Sequence, residues 1–238
     1  MQELFNVLRL IHIPFGLAGL VVFWVPLVLR KGSLAHRRIG WVFVGCMGVA
    51  SITAAMLAAV RFAIDLNEGP VTAIGLVRPV FLGNVALLTF ASVWYGIRVL
   101  RQKGRATPHY HAIDLAFPVV LLLLSIASLG LGVVTKNPLL FTLPVVGCVV
   151  SGQSLFVLLR APRDRMFWWY EHMSGMLGGC IAAITAAVIT NAQYIRPLVP
   201  APEWVFWAAP AAIGLPMLIL WRRHYRLKFN SAKPMARP

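Results

Sequence analysis

Negative charge is scarce in this chain. Only 7 of the 238 residues are Asp or Glu, against 22 Lys and Arg, and charged residues of both signs make up 12%. Soluble domains carry roughly 25% charged residues, so the chain has too little polar surface to cover a soluble fold. The three cysteines form no Cys-x-x-Cys pair, which excludes a disulfide scaffold. With 59% hydrophobic residues, the composition predicts a polytopic membrane protein.

Seven apolar runs are long enough to cross a bilayer, which takes about 20 residues in a helix. They cover residues 5–29, 39–62, 79–100, 115–134, 139–159, 173–192 and 205–221. We therefore predict an all-α bundle of seven transmembrane helices, in a single domain over residues 1–229. The short basic tail, residues 230–238, is expected to be disordered. Arg78-Pro79 follows an apolar prelude, which predicts a kink or a separate outer helix there.

The positive charge predicts the orientation of the bundle. Of the 22 Lys and Arg, 17 fall in the segments 30–38, 98–105, 160–165 and 222–237, which alternate along the chain. Basic loops stay on the cytoplasmic side, so the N-terminus is expected outside and the C-terminus in the cytoplasm of a bacterial inner membrane. The expected partner is the lipid bilayer with its anionic headgroups. Nucleic acid is not expected, because no stretch resembles a soluble basic domain.

A stripe of small residues marks the sixth run as buried. Gly175, Gly179, Ala183 and Ala187 repeat at a spacing of four, which places them on one helix face. Such a stripe lets two helices approach closely. We therefore predict that the sixth helix is central, and that Gly179 faces a neighbouring helix.

Three histidines lie near the cytoplasmic starts of even-numbered spans: His36, His111 and His172. Two of the seven acids stand beside them, because Asp114 follows His111 by three residues and Glu171 directly precedes His172. A helix N-terminus disfavours the imidazolium ion, and neutral imidazole is the form that binds metals and haem iron. We predict that these five residues converge on zinc, which takes three or four ligands, or on haem, which takes one or two axial histidines.

Other interpretations of this layer remain open. The residues could be solvated at the interface without forming a site. Arg37, Arg38 and Arg165, together with helix N-termini, could instead bind an anion or a lipid headgroup. The sequence is thus compatible with a membrane redox or hydrolytic enzyme, with a small transporter or lipid-binding protein without catalysis, and with a component that serves a protein partner.

His12 lies about two turns into the first span, in its outer half. An ionisable residue at membrane depth is a functional candidate. Arg78 and Asn84 of the third span occupy the same half of the membrane. We expect that they could pair with His12.

The chain resembles a bacterial family of predicted multi-pass membrane proteins of unknown function. The resemblance lies in the placement of His12, of His36-Arg37-Arg38-x-Gly40 and of His172-Met173. The resemblance spans most of the chain and implies the multi-pass fold, but no activity. There is a looser similarity to seven-span zinc hydrolases that act on lipid amides. Those enzymes carry paired histidines one turn apart in the last span. Here that region has only His224, which lies beyond the end of the span.

Overall fold

The structure, a computed structural model, describes the backbone of residues 1–231 and the side chains of all of these except residues 203, 230 and 231. Within this part of the chain there are nine α-helices and no strand. The helices are α1 (Gln2–Val22), α2 (Trp24–Val28), α3 (Leu34–Glu68), α4 (Ala73–Arg98), α5 (Ala112–Thr135), α6 (Leu139–Leu158), α7 (Phe167–Thr190), α8 (Ala192–Ile195) and α9 (Glu203–Ser231). A 3-10 turn, Val99–Gln102, continues α4.

Seven helical segments in the described chain are long and apolar enough to span a membrane. Helices α1 and α2 together form the first, and α4 with its 3-10 turn forms the third. The prediction of an all-α protein with seven membrane-spanning helices is therefore confirmed, whereas its orientation stays a prediction. The last helix reaches residue 231, so it includes the first two residues assigned to the tail. The other seven tail residues, 232–238, lie outside the described residues.

Several helices begin earlier than their apolar runs. Ser33 caps α3, because its Oγ accepts a hydrogen bond from the backbone N–H of His36 at 3.2 Å. Thr72 caps α4 in the same way, so that Pro79 lies inside a continuous helix. The prediction of a separate outer helix before Pro79 is wrong. Helix α7 starts with the aromatic segment 167–170, which places His172 inside the helix.

Helix α4 is central to the bundle and packs against α3, α5, α6 and α7. Its closest approach is to α7. A Cβ atom added at Gly175 would lie 2.7 Å from the Cα of Gly96 and 2.6 Å from the carbonyl oxygen of Ser92. At Gly179, an added Cβ would lie 2.7 Å from a methyl group of Val93. The prediction of a central sixth span with a close glycine contact is confirmed.

Candidate functional site

The described parts of the basic segments meet at one end of the bundle, which we call the basic end. Several cations there bind helix carbonyls that have no partner within their own helix. Lys31 donates to the carbonyls of Pro26 and Leu27, at 2.8 and 2.6 Å. Arg105 donates to the last two carbonyls of α6, at 2.8 Å each. Burial lowers the pKa of Lys31 and that of Arg105. Part of the positive charge thus stabilises helix ends.

A cavity of about 750 Å³ opens at the basic end, between α2, α3, the 3-10 turn, α7 and α9. Its volume falls within the range of roughly 300–1,000 Å³ that is typical of small-molecule sites. Aromatic residues form much of its wall: Phe23, Trp41, Phe43, Trp168, Trp169 and Trp221. Its polar lining consists mainly of Lys31, His36, Arg37, Lys103, His172 and His224. None of the described lining residues is Asp or Glu.

Two histidines of the cavity are fixed by backbone carbonyls. The Nδ1 atom of His36 lies 3.2 Å from the carbonyl oxygen of Pro26. The Nδ1 atom of His172 lies 2.7 Å from the carbonyl oxygen of Gly96. Because a carbonyl only accepts hydrogen bonds, each Nδ1 must carry the hydrogen, and the lone pair of the neutral ring is then on Nε2. Among the described residues, neither Nε2 atom has a hydrogen-bond partner.

Asp114 belongs to a different group of side chains. Its carboxylate is only 3% exposed and accepts two hydrogen bonds from Arg98, at 2.6 and 3.0 Å. The Nε2 atom of His109 lies 2.7 Å from the same carboxylate. His111 is 51% exposed, and its Nδ1 atom is 4.0 Å away. This group fixes the connection between α4 and α5.

Glu171 is also buried and fully engaged. Its carboxylate accepts a hydrogen bond from the hydroxyl of Tyr95 at 3.1 Å and one from Arg222 at 2.9 Å. Arg222 also donates to Ser174 at 2.9 Å. These contacts connect α7 to α4 and to α9, and they leave the two carboxylate oxygens occupied.

The predicted convergence of the five residues is therefore wrong. His36 and His172 line the cavity, His111 lies beside the Asp114 group, and Glu171 pairs with Arg222. The described residues contain no group of three or more His, Cys, Asp or Glu that could hold a metal ion, so a zinc site built from this set is not supported. The helices do start at one end, but depth along a helix does not determine which neighbour a side chain faces.

The other predicted residues have separate surroundings. The Nδ1 atom of His12 lies 2.9 Å from the carbonyl oxygen of Ala50 and 3.2 Å from the hydroxyl of Thr53. Asn84 is fully buried and donates to two serines of α5, at 3.1 and 3.5 Å. Arg78 is exposed. The expected pairing of His12 with Arg78 or Asn84 is thus wrong, and His12 holds α1 against α3.

The three arginines of the predicted anion site do not stay together either. All three side chains are exposed; Arg37 lines the cavity, whereas Arg38 and Arg165 lie outside its lining. Sequence reasoning missed Lys31 and Lys103, which line the cavity with Arg37. Their only signal was the general excess of basic residues in two loops. Sequence reasoning also missed His109, which precedes α5 and contacts Asp114 in the first turn of that helix.

The seven apolar helices define a multi-pass integral membrane protein. Comparisons with models of known protein families, with curated proteins and with solved structures find no match to this chain. The resemblance to a bacterial family of predicted membrane proteins therefore stays a prediction, as does the inner-membrane location.

Proposed function

We propose that this membrane protein binds an amphipathic small molecule with an acidic headgroup in the cavity at the basic end. One observation carries the proposal: the walls are largely apolar and aromatic, while the charged residues of the described lining are all basic, namely Lys31, Arg37 and Lys103. An apolar body would replace water along the walls. A carboxylate or phosphate would meet the cations, whose charge no acid of the lining neutralises.

The cations retain donors for such a ligand. An ammonium group has three hydrogen-bond donors, and Lys31 uses two of them on the carbonyls of α2. Lys103 stands over the ring of Trp168, with its ammonium 4.5 Å from the ring centroid. The two lysines come from different loops, and both line the cavity. Anionic lipids and haem, with its two carboxylates, both belong to this ligand class.

The four cavity tryptophans provide a direct test. The full chain, purified in a neutral detergent, is titrated with an amphiphile that carries a brominated chain and a phosphate headgroup. Bromine quenches tryptophan fluorescence on contact. We expect quenching at a lower concentration than with a neutral amphiphile of the same chain. Equal affinity for the two amphiphiles would contradict the proposal.

Charge-removal variants localise the binding. Changing Lys31, Arg37 and Lys103 together to Gln should weaken binding of the phosphate amphiphile on the order of a hundredfold, at about 1 kcal/mol per cation. The matched control changes Arg38, Arg101 and Arg165 to Gln, which removes the same charge from exposed positions outside the cavity lining. An equal loss in both triple variants would mean that only the general surface charge attracts the ligand.

A further inference from the structure

The tautomers of the two cavity histidines point to a more specific ligand, and this step rests on the proposed function. His36 and His172 both place Nδ1 against a backbone carbonyl. Metal-binding histidines usually donate their second ring nitrogen to a carboxylate, a carbonyl or water, which fixes the ring and makes the ligating nitrogen more basic. In both histidines the second ring nitrogen, Nδ1, contacts a carbonyl in this way, and the lone pair on Nε2 accepts no hydrogen bond from the described residues.

The number of available protein ligands distinguishes between a zinc ion and a haem. Zinc takes three or four protein ligands in most sites, and the described residues contain no group of that size. A haem iron already has four porphyrin nitrogens and takes one or two axial ligands from the protein. Two anchored histidines on different helices, α3 and α7, match that requirement. Both rings line the same cavity.

The cavity walls fit the rest of a haem. A porphyrin is a flat aromatic ring, and tryptophan and phenylalanine side chains pack favourably on aromatic faces. Trp41, Trp168 and Phe43 are part of that wall. The two propionates of haem need cations, and Lys31 and Arg37 lie on the same loop–helix segment as His36.

We infer that the cavity holds a haem whose iron is bound axially by the Nε2 atoms of His36 and His172, with its propionates at Lys31, Arg37 and Lys103. His224 also lines the cavity, but no backbone carbonyl orients its ring among the described contacts. It is therefore not assigned as an axial ligand.

The test uses the full chain, produced in cells supplied with the haem precursor 5-aminolevulinate and purified in neutral detergent. We expect close to one haem per chain and the low-spin ferric spectrum of two imidazole ligands. The purified protein is also titrated with ferric haem, to fill any empty sites. If neither preparation gives a low-spin spectrum, the haem assignment is wrong.

Single variants identify the axial ligands. His36→Ala and His172→Ala should each convert the iron to the high-spin form, and added imidazole should restore the low-spin spectrum. His36→Met and His172→Met keep a ligating atom and should shift the absorption bands instead. His12→Ala is the matched control, because His12 also places Nδ1 against a carbonyl but lies outside the cavity lining.

The outcomes separate this inference from the proposed function. A low-spin spectrum that survives His36→Ala or His172→Ala would overturn the axial assignment. Retained binding of the phosphate amphiphile, without any haem signal, would reject haem but leave the anionic-ligand function standing. If the unmodified protein shows neither haem binding nor binding of the phosphate amphiphile, both the haem assignment and the proposed function are wrong.

Discussion

The basic end contains two groups of histidines that use their ring nitrogens differently. In the Asp114 group, the carboxylate accepts hydrogen bonds from Arg98 and lies against Nε2 of His109. No Asp or Glu is among the described residues that line the cavity, and within the same part of the chain the Nε2 atoms of His36 and His172 have no hydrogen-bond partner. A group whose polar atoms are satisfied internally stabilises the fold. One whose lone pairs remain unpaired beside an open volume is suited to bind a ligand.

The largest expected effect comes from breaking the satisfied group. In Asp114→Ala, the largely buried guanidinium of Arg98 loses its counter-ion. We expect the free energy of unfolding to fall by about 3–5 kcal/mol. Denaturant unfolding in mixed micelles measures this change. Asp114→Asn, which keeps an acceptor for Arg98, should lose less. The folded fraction of Asp114→Ala should retain its affinity for the cavity ligand.

A different result would change the comparison between the two groups. If Asp114→Ala unfolds like the parent but loses the cavity ligand, the Asp114 group takes part in binding. The structural role assigned to the group would then be wrong.

The second prediction concerns the helix contact behind His172. In Gly175→Ala the new Cβ would meet backbone atoms of Ser92 and Gly96, at 2.6 and 2.7 Å. Backbone cannot move aside as a side chain can, so we expect a loss of about 1–3 kcal/mol in the free energy of unfolding. Gly178→Ala is the matched control on the same helix, because nothing lies within 4 Å of its added Cβ. It should be neutral or slightly stabilising.

Gly175→Ala should also affect the cavity. Moving α7 away from α4 would lengthen the hydrogen bond between His172 and the carbonyl of Gly96, and so weaken ligand binding. Equal unfolding free energies for the Gly175 and Gly178 variants would show that the two helices do not approach as closely as described.

The smallest expected effect is a pH dependence at Lys31. Burial lowers the pKa of Lys31, so the side chain loses its charge at a lower pH than an ordinary lysine. The affinity for an amphiphile with a permanently ionised sulfonate headgroup should therefore fall as the pH rises through this lowered pKa in the alkaline range. The fall should be about fivefold, which corresponds to about 1 kcal/mol for one cation.

The arginine variant checks the assignment of that pH dependence. Lys31→Arg should keep the affinity over the pH range in which Lys31 loses its charge, since the guanidinium pKa lies at about 12 or higher. Lys136→Arg, in the connection between α5 and α6, is the matched control and should follow the parent. A parent profile that is flat, or that Lys31→Arg leaves unchanged, would show that Lys31 does not contact the headgroup.

The sequence predicted the helices better than the site. Apolar runs locate the spans, because length and hydropathy alone determine which segments can cross a membrane. The starts of α3 and α7 were placed too late, since their first turns are polar or aromatic. Asp114 and Glu171 were predicted to join the histidines at a metal or haem, but in the structure they pair with Arg98 and Arg222.

The rotation of each helix could not be predicted from the sequence. The carbonyl that orients His172 belongs to Gly96, 76 residues earlier in the chain. That contact depends on how closely α4 and α7 pack, and packing is a property of two helices together. The carbonyl that orients His36 is ten residues away, but it is available only because α2 ends beside the start of α3.

The two cavity histidines are oriented by carbonyls that belong to different parts of the bundle. His36 lies on α3 and is oriented by a carbonyl of α2, whereas His172 lies on α7 and is oriented by a carbonyl of α4. A ligand bound to both rings would connect these parts of the bundle. Because α3 also packs directly against α4, loss of the ligand would loosen only the region around the two rings, so that occupancy of the cavity would be coupled to the local rigidity of the basic end.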